Sequence, residues 1–183
     1  MKPGDHRGFT VWLTGLSGSG KTTIANLLDL RIEEIGLKVE VLDGDSVRMS
    51  LSKGLGFTRE DRDENVKRIG YVCKLLSRND VVAIAAVVSP YRQAREQLKN
   101  EIERFVEVYV RCPIEVCKQR DVKGLYKKVM LGELQGFTGI SDPYEEPTHP
   151  DLIVESDRET PQQSVEKILS KLKALGYLGS HRD

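Results

Sequence analysis

The sequence lacks a long apolar run, and it lacks a surplus of charge of either sign. Its 28 basic and 28 acidic side chains balance over 183 residues, so no overall field draws the chain to nucleic acid or to an anionic membrane. No segment is apolar enough to span a bilayer, and 39% hydrophobic with 31% charged residues is typical of a soluble globular protein. We therefore expect neither a nucleic-acid nor a membrane partner.

Cysteine is scarce. Cys73, Cys112 and Cys117 are odd in number and lack the paired spacing of a zinc site, and no apolar signal segment precedes the first predicted strand. These absences predict a reduced, cytoplasmic environment. Cys112 and Cys117 flank a helical turn that begins with Pro113, and we interpret them as buried packing residues. A reactive thiol pair is the alternative.

Internal repeats, low-complexity tracts and interdomain linkers are absent too. A chain of 183 residues falls within the roughly 100–200 residues of a common domain. We therefore predict a single domain over residues 1–183. Residues 1–8 and 179–183 are expected to be frayed ends.

What the sequence does contain is a regular alternation of short apolar runs and longer helical stretches. Continuously apolar strands are typical of a parallel sheet covered on both faces. The alternation predicts βαβ units, and hence an α/β fold with a five-stranded, mostly parallel sheet flanked by helices. The predicted strands are Thr10–Thr14, Val39–Leu42, Val81–Val88, Phe105–Val110 and Leu152–Val154, and the predicted helices are Thr22–Ile35, Arg62–Ser77, Gln93–Glu103 and Pro161–Leu175.

Two stretches, Ser50–Glu64 and Arg120–Pro150, fit neither pattern. The second is rich in glycine, proline, lysine and aspartate. Because a long irregular stretch inside a compact domain is usually functional, we predict a lid over about residues 120–150.

A glycine-rich segment joins the first predicted strand to the first predicted helix. It matches the pattern G-x-x-x-x-G-K-[ST], whose glycines let backbone N–H groups turn toward phosphate oxygens. The helix adds the positive end of its dipole. Lys21 can reach the β- and γ-phosphates, and the Thr22 hydroxyl can ligate Mg²⁺. The predicted site for ATP and Mg²⁺ comprises Gly15, Leu16, Ser17, Gly18, Ser19, Gly20, Lys21, Thr22 and Thr23.

A phosphate-binding loop of this kind, here called the phosphate cradle (residues 15–23), does not by itself distinguish a kinase from a GTPase, a motor or a passive nucleotide binder. The Asn-Lys-x-Asp run expected of a GTPase is absent. Asp43 and Asp45 follow the second predicted strand, at the sheet edge where ligands bind. One of these carboxylates can take the proton of an acceptor hydroxyl or help to hold Mg²⁺, which predicts phosphoryl transfer. A solvated turn with two acids is the alternative.

Basic side chains follow the two acids within a short span. They are Arg48, Arg59, Arg62 and Arg68, with Phe57 and Asn65 among them. Arg62, Asn65 and Arg68 share one face of a predicted helix and could bind an anionic acceptor by fork-shaped hydrogen bonds. The alternative is a charged helix face that is simply solvated.

Taken in order, these segments resemble the adenylyl-sulfate kinase family, which phosphorylates the ribose 3′-hydroxyl of adenosine 5′-phosphosulfate (APS) with ATP. The resemblance runs from about Thr10 to Leu178 and implies the P-loop kinase type of α/β fold. The segments that carry it are Gly15-Leu16-Ser17-Gly18-Ser19-Gly20-Lys21-Thr22-Thr23, Leu42-Asp43-Gly44-Asp45 with Arg48, Leu55-Gly56-Phe57-Thr58 followed by Asp61-Arg62 and Glu64-Asn65, Ser89-Pro90-Tyr91-Arg92, Arg120-Asp121 with Lys123-Gly124-Leu125-Tyr126, and Phe137-Thr138-Gly139-Ile140 leading to Asp142-Pro143-Tyr144-Glu145.

The resemblance implies roles for individual residues around the acceptor. Asp45 and Asp43 would serve the acceptor hydroxyl and the metal, with Thr22 as the second metal ligand. The phosphosulfate group and the nearby ribose would be bound by Arg48, Arg62 and Asn65. Phe57 and Phe137 would stack on the two faces of the acceptor adenine.

Further implied roles fall on the predicted lid and on one serine. Lys123 would approach the acceptor, Arg120 would approach the ATP adenine, and the loop over about residues 123–139 would exclude water. Ser89 stands where the family describes a phosphoserine intermediate. No histidine follows it in the motif, and in-line transfer needs no enzyme nucleophile. We therefore expect Ser89 to contact substrate from a strand end, with Pro90 fixing the turn.

The sequence departs from the family pattern at two pairs. Val87-Val88 stand where Phe-Ile is more usual, and Met49-Ser50 where His-Gly is frequent, so the wall of the acceptor pocket is expected to differ slightly. The resemblance also implies a homodimer and ATP sulfurylase as a functional partner. Two alternatives remain open: another small-molecule or nucleoside monophosphate kinase, and a nucleotide-sensing module without turnover.

Overall fold

The computed structural model describes residues 8–178, which form seven α-helices and five β-strands. In chain order these are β1 (Thr10–Thr14), α1 (Lys21–Glu34), β2 (Lys38–Asp43), α2 (Gly44–Met49), α3 (Arg59–Ser77), β3 (Val81–Ala86), α4 (Arg92–Glu101), β4 (Phe105–Arg111), α5 (Ile114–Arg120), α6 (Leu125–Met130), β5 (Leu152–Glu155) and α7 (Pro161–Ala174). The ends predicted to fray lie outside the described residues, except Gly8. A Cβ at Gly8 would lie 2.0 Å from the Ser77 carbonyl oxygen, so this residue is packed against α3.

The five strands form one sheet in the order β2-β3-β1-β4-β5, and every neighbouring pair is parallel. β1 is the central strand, and its Thr10 lies opposite Ala83 of β3 and Phe105 of β4. The predicted α/β fold with a five-stranded sheet is confirmed. Because all strands run in one direction, their carboxyl ends meet at one edge, where the segments after β1, β2 and β3 come together.

Helices cover both faces of the sheet. On one face Val11 and Leu13 of β1 pack with Leu28 of α1 and Ile168 of α7. On the other face Trp12 of β1 packs with side chains of α3 and α4, including Ile69 and Leu98. Each such buried aliphatic side chain contributes about 1.5–3 kcal/mol of transfer free energy. Burial on both faces accounts for the continuously apolar strands.

Several helix boundaries differ from the predicted ones. α3 begins at Arg59 rather than at Arg62, because the Thr58 hydroxyl caps it by accepting from the Asp61 amide at 3.1 Å. The prediction of irregular structure is therefore wrong over residues 59–64, and also over α6 within residues 120–150. α2 had no predicted counterpart. In contrast, α7 begins as expected, since Thr160 and Gln163 form a capping box ahead of the helix and Pro161 occupies its first turn.

A short strap, residues 143–146, follows the segment predicted to be a lid and is tied to the body of the protein by Arg95. The Arg95 side chain is 1% exposed. Its guanidinium donates to Glu107 at 2.8 Å, to the Glu145 carbonyl at 2.6 Å and to the Ser89 carbonyl. One buried cation thus joins α4, β4, the end of β3 and the strap. Burial raises the pKa of Glu107, although the Arg95 charge opposes that shift.

No helix among residues 8–178 has the length and apolar character that crossing a membrane requires.

Candidate active site

The glycine-rich segment forms a tight loop between β1 and α1. Gly15, Gly18 and Gly20 have φ values of 152°, 77° and 94°, a region that side chains with a Cβ rarely adopt. Space is also restricted, because a Cβ at Gly15 would lie 2.5 Å from the Val110 carbonyl oxygen and one at Gly18 would lie 3.1 Å from that of Cys117. The predicted phosphate cradle therefore has the backbone shape that the pattern requires, with the amino end of α1 beside it.

Lys21 is the buried cation of this cradle. Its ammonium donates to the carbonyl groups of Gly15 at 2.9 Å and Leu16 at 2.7 Å. Burial lowers the pKa of Lys21 from 10.5 to about 8, with Lys123 adding to the shift and Cys117, Asp43 and Asp45 opposing it. A positive charge held within the loop at neutral pH suits the β- and γ-phosphates of a bound nucleotide.

Thr22 and Asp43, the predicted metal ligands, are in contact. The Thr22 hydroxyl donates to one Asp43 oxygen at 2.7 Å, and the other Asp43 oxygen accepts the Asp45 amide at 3.1 Å, which caps α2. Hydroxyl and carboxylate oxygens are donors that suit Mg²⁺. Residues 8–178 contain no group of three or more His, Cys, Asp or Glu side chains placed to hold a metal, so an ion here would also need phosphate and water ligands.

Asp45 and Lys123 form an ion pair across the mouth of the site. Asp45 lies in the first turn of α2, whereas Lys123 lies in the connection between α5 and α6. Both side chains are more than half exposed. The contact brings the predicted lid to the carboxylate that was expected to act on the acceptor.

Arg48 and Phe57 lie together on the acceptor side. The Arg48 guanidinium donates to the Gly56 carbonyl at 3.0 Å, and its Cζ lies 4.5 Å from the centre of the Phe57 ring. Burial and the nearby Arg62 lower the pKa of Arg48. The Phe57 side chain remains 52% exposed, so its ring is available for stacking.

Arg62 is buried, and its hydrogen bonds go to other parts of the protein. Nε donates to the Phe57 carbonyl at 2.9 Å, Nη1 to the Thr138 hydroxyl at 2.6 Å, and Nη2 to Asp142 at 3.2 Å and to the Gly136 carbonyl. The side chain therefore joins α3 to residues 136–142. The direct contact of Arg62 with an anionic acceptor stays a prediction, and in this structure the guanidinium bonds to four groups of the protein.

Asn65 lies one turn further along α3 and is also buried. Its side-chain oxygen is among the few buried polar atoms of residues 8–178 that have no hydrogen-bond partner. Buried polar atoms without a partner are uncommon, and an acceptor of this kind is a candidate ligand contact. Arg68, predicted to share the same face, instead bonds to Glu64 at 2.8 Å and to the Leu51 carbonyl at 3.1 Å.

Phe137 packs against α6 rather than against Phe57. Its ring meets the ring of Tyr126 edge to face, with centroids 4.9 Å apart. Phe57 and Phe137 nevertheless belong to segments that meet, because a Cβ at Gly136 would lie 4.0 Å from the Phe57 Cβ. The two predicted stacking residues thus come from distant parts of the sequence to the same side of the molecule.

Arg120 lies at the outer side of the cradle. It donates to the Ser156 hydroxyl at 3.1 Å and to the Ser156 carbonyl at 2.6 Å, in the connection after β5. The Ser156 Cβ lies 3.9 Å from the position of a Cβ at Gly20. This is the neighbourhood of the phosphate cradle, as expected for a residue near the base of ATP.

Comparison with known proteins agrees with this geometry. The profile of the family described as adenylylsulphate kinase matches residues 7–155. The chain belongs to the adenylylsulphate kinase family. The predicted family, fold, enzyme class and function, that of an adenylyl-sulfate kinase, are confirmed by this match and by the relatives it resembles.

Individual relatives of this adenylylsulphate kinase cover nearly all of its length. An adenylyl-sulfate kinase of Picosynechococcus sp. is 53% identical over 174 residues, which are 95% of this chain and 98% of that protein. A solved structure, the Mycobacterium tuberculosis APS kinase CysC in complex with AMPPNP and APS, is 37% identical with a TM-score of 0.87, covering 91% of this chain and 98% of that one. A probable bifunctional SAT/APS kinase 2 of Sorangium cellulosum is 52% identical over 93% of this chain and 29% of that protein.

Ser89, which the resemblance puts at a phosphoserine position, lies in a network of buried and half-buried hydroxyl groups. It is 3% exposed, accepts the Trp12 indole N–H at 3.0 Å and donates to the Thr14 hydroxyl at 2.9 Å. Thr14 donates to the Val88 carbonyl, so the Tyr144 hydroxyl, at 2.9 Å, must donate to Thr14. Every proton in this network is committed, which disfavours Ser89 as a nucleophile.

Four residues of the family motifs had no predicted role. Tyr126, Thr138, Asp142 and Tyr144 all make polar contacts that connect the predicted lid or the strap to the rest of the site. Arg95, in contrast, stood in no motif. The sequence did show that these four residues are polar or aromatic and lie inside family motifs. It did not show which residues they contact.

Cys73, Cys112 and Cys117 are buried, and none of them forms a disulfide. Burial raises the pKa of Cys73 and Cys117 to about 12 in each case, and the neighbouring Cys112 adds to the shift at Cys117. Thiols that stay protonated are poor nucleophiles, which supports the interpretation as packing residues over the reactive pair.

Proposed function

We propose that this chain transfers the γ-phosphoryl group of ATP to the 3′-hydroxyl of APS and so forms 3′-phosphoadenosine 5′-phosphosulfate and ADP. One observation carries the assignment of residues. The Thr22 hydroxyl of the cradle contacts Asp43, and Asp43 caps the helix turn that presents Asp45. A phosphate site and a carboxylate able to accept a proton are thereby joined through two short hydrogen bonds.

The donor side would bind the triphosphate of ATP through backbone N–H groups of Gly15 to Thr23 and through Lys21. Thr22 and Asp43 would hold Mg²⁺ together with phosphate and water oxygens. When bound, the ion neutralises charge on the β- and γ-phosphates. Arg120 would contact the adenine of ATP from the outer side of the cradle, a role that its bond to Ser156 next to Gly20 supports.

The acceptor side would place the 3′-hydroxyl of APS next to Asp45. In the transfer, the 3′-oxygen forms a bond to the γ-phosphorus while the bond from that phosphorus to the β,γ-bridging oxygen breaks. The proton of the 3′-hydroxyl passes to the Asp45 carboxylate. Lys123 compensates the charge of this carboxylate in the open site, and it would contact the substrates once the carboxylate takes up the proton.

The remaining acceptor contacts follow from charge and exposure. Arg48 would bind the phosphosulfate group, and the unpartnered oxygen of Asn65 would accept a hydrogen bond from a ribose hydroxyl. The exposed ring of Phe57 and the ring of Phe137 would stack on the adenine. Arg62 would act mainly by holding residues 136–142 in place, and Ser89 by fixing the end of β3. The segment over about residues 120–150 would close over both substrates and exclude water.

A coupled assay of ADP release tests the proposal. We expect turnover with ATP, Mg²⁺ and APS, and we expect Asp45→Asn to lower it by about 10²–10⁴-fold, the usual contribution of a general base. Asp29→Asn in the middle of α1 is the matched control and should retain wild-type turnover. Turnover with shikimate, gluconate or a nucleoside monophosphate but not with APS would contradict the acceptor and leave the kinase class standing. Binding of nucleotide without any ADP release would favour a sensing module.

The oligomeric state, the functional partner, the domain count and the cellular location are proposed separately. We expect a homodimer, a functional link to ATP sulfurylase, a single domain and a cytoplasmic location. The resemblance of the chain to part of a probable bifunctional SAT/APS kinase supports the sulfurylase link. Sedimentation of the purified chain should give twice the 20.6 kDa mass of the monomer, and a monomeric species at micromolar concentration would contradict the dimer.

A further inference from the structure

Tyr126 is the one side chain of α6 that is buried, and it contacts parts of both proposed substrate sites. It is 2% exposed, in a helix whose other side chains face solvent or are half-buried. Its hydroxyl donates to the Ser17 carbonyl of the phosphate cradle at 2.9 Å. Its ring meets the ring of Phe137, proposed to stack on the acceptor adenine, at 4.9 Å and 76°.

The position of Tyr126 is fixed by hydrogen bonds at the start of α6 and by the apolar side chains around its ring. Both oxygens of Asp121 accept backbone N–H groups at the start of α6, those of Tyr126 and Lys127, at 3.0 Å each. The ring lies in a small apolar cluster with Cys112 and Cys117, against which Leu16 and Phe137 also pack. Burial raises the pKa of Tyr126, so its hydroxyl remains a donor at neutral pH. A side chain held this firmly can transmit a change at one contact to the other.

The hydrogen bond to Ser17 is sensitive to the contents of the cradle. The Ser17 carbonyl and the Gly18 N–H belong to the same peptide group, and Gly18 is one of the residues proposed to bind phosphate. A phosphate oxygen that accepts the Gly18 N–H polarises this peptide group and makes its carbonyl a stronger acceptor. The bond from the Tyr126 hydroxyl is therefore stronger when ATP is bound than when the cradle is empty.

We propose that Tyr126 is a positioning residue that couples the two nucleotide sites: its hydroxyl binds the cradle carbonyl that ATP polarises, and its ring holds Phe137 where the acceptor adenine stacks. The inference rests on the proposed function. ATP in the cradle then raises the affinity for APS, and by thermodynamic linkage APS raises the affinity for ATP by the same factor.

The test is calorimetric titration of APS into the full chain with Mg²⁺, in the presence and absence of a non-hydrolysable ATP analogue. We expect the analogue to tighten APS binding to the wild type by about fivefold, the lower end of the usual range for coupled sites. Tyr126→Phe keeps the ring and removes the hydroxyl. It should bring the ratio below about twofold while the Kd for APS alone stays within about twofold of the wild type, since one neutral hydrogen bond is removed.

Two further variants separate coupling from packing. Tyr126→Leu also removes the ring and should weaken APS binding in both conditions, because Phe137 loses its neighbour. Tyr177→Phe makes the same chemical change after the end of α7, where the ring packs on Phe9 with centroids 5.5 Å apart, and should keep the wild-type ratio. In turnover, Tyr126→Phe should raise the KM for APS more than it lowers kcat.

The outcomes distinguish this inference from the proposed function. If the wild type binds APS in neither condition, the proposed function fails and the coupling fails with it. If the wild type binds APS and Tyr126→Phe shows the same ratio as the wild type, or the wild type shows no effect of the analogue, only the coupling is lost. Melting temperatures of the variants show that each ratio was measured on folded protein.

Discussion

The donor and acceptor halves of the site are built in different ways. The cradle is one contiguous segment, residues 15–23, whose glycines are locked in shape and whose ammonium is held by its own loop. The acceptor half combines residues 43–65 with residues 123–142, and it has an exposed ring at Phe57 and an unpartnered oxygen at Asn65. We therefore expect the proposed donor half to be preformed and the proposed acceptor half to be completed by its ligand.

This difference predicts that the two halves contribute differently to catalysis, affinity and stability. A preformed phosphate site would need little rearrangement when ATP binds, since its glycines already have the backbone conformation of a tight loop. The acceptor half depends on a few long-range contacts, above all those of Arg62 and of Lys123 with Asp45. Changes to the cradle should therefore alter chemistry without loosening the fold, whereas changes to the acceptor half should alter affinity and stability together.

The largest effect is expected from Lys21→Met in the donor half. Loss of the charge at the γ-phosphate should lower kcat/KM by about 10³-fold. Stability should respond in the opposite direction, because the ammonium is buried at a cost: its pKa of about 8, against 10.5 when exposed, corresponds to about 3 kcal/mol at neutral pH. We expect a melting temperature at or above that of the wild type. A clearly lower value would mean that the cradle is held together by Lys21 itself.

Arg62→Met is expected to affect both affinity and stability. It removes the bonds to Phe57, Thr138 and Asp142, so the KM for APS should rise by about 30-fold and the free energy of unfolding should fall by about 2–4 kcal/mol. Arg68→Met on the same helix is the control, because its partners are exposed, and both quantities should change little. Urea unfolding and steady-state kinetics provide the two measurements. Equal effects of Arg62→Met and Arg68→Met would contradict the expectation that Arg62 supports both APS affinity and stability.

The pH dependence of ATP binding probes the donor half alone. Phosphate favours the ammonium form of Lys21, whereas the free enzyme loses that proton above its pKa of about 8. Affinity for an ATP analogue should therefore be constant between pH 7 and 8 and fall by up to about tenfold per pH unit above that. Lys21→Met should give a flat profile over the same range. The unfolded chain holds the Lys21 proton up to pH 10.5, so between pH 8 and 10.5 the Lys21 contribution should raise the free energy of unfolding.

The smallest effect on turnover is expected from Ser89→Ala. The indole N–H of Trp12 would lose its acceptor, so the free energy of unfolding should fall by about 1–2 kcal/mol. Turnover should stay within about threefold of the wild type, because we assign Ser89 no bond-making step. Ser164→Ala, which removes a buried hydroxyl bonded to Glu159 and has no predicted role in the site, should show the same pattern. Loss of turnover at Ser89 alone would instead support a phosphoserine intermediate.

The same contrast explains what the sequence could predict. The strands and the cradle depend on local spacing and on burial of both faces, and these were readable: β1 was predicted at its observed bounds. α2 and α6 are six residues each and lack a periodic apolar face, so nothing local marked them. Arg62 was expected to bind the acceptor directly from its spacing along one helix and from the resemblance, whereas its partners in residues 136–142 lie more than 70 positions away. Spacing along one helix could not reveal them.

The buried guanidinium of Arg95 has a consequence for the order in which the molecule assembles. Its charge can leave water only when Glu107 is already beside it, so α4 and β4 must meet first. The Glu145 carbonyl, which it also binds, is synthesised about 40 residues later. During vectorial synthesis β1 to β4 and the cradle leave the ribosome before the strap, whereas β5 and α7, which complete the sheet and cover one of its faces, follow after it. The strap can therefore dock only once α4 and β4 have met, so residues 143–146 are fixed to the core late in assembly.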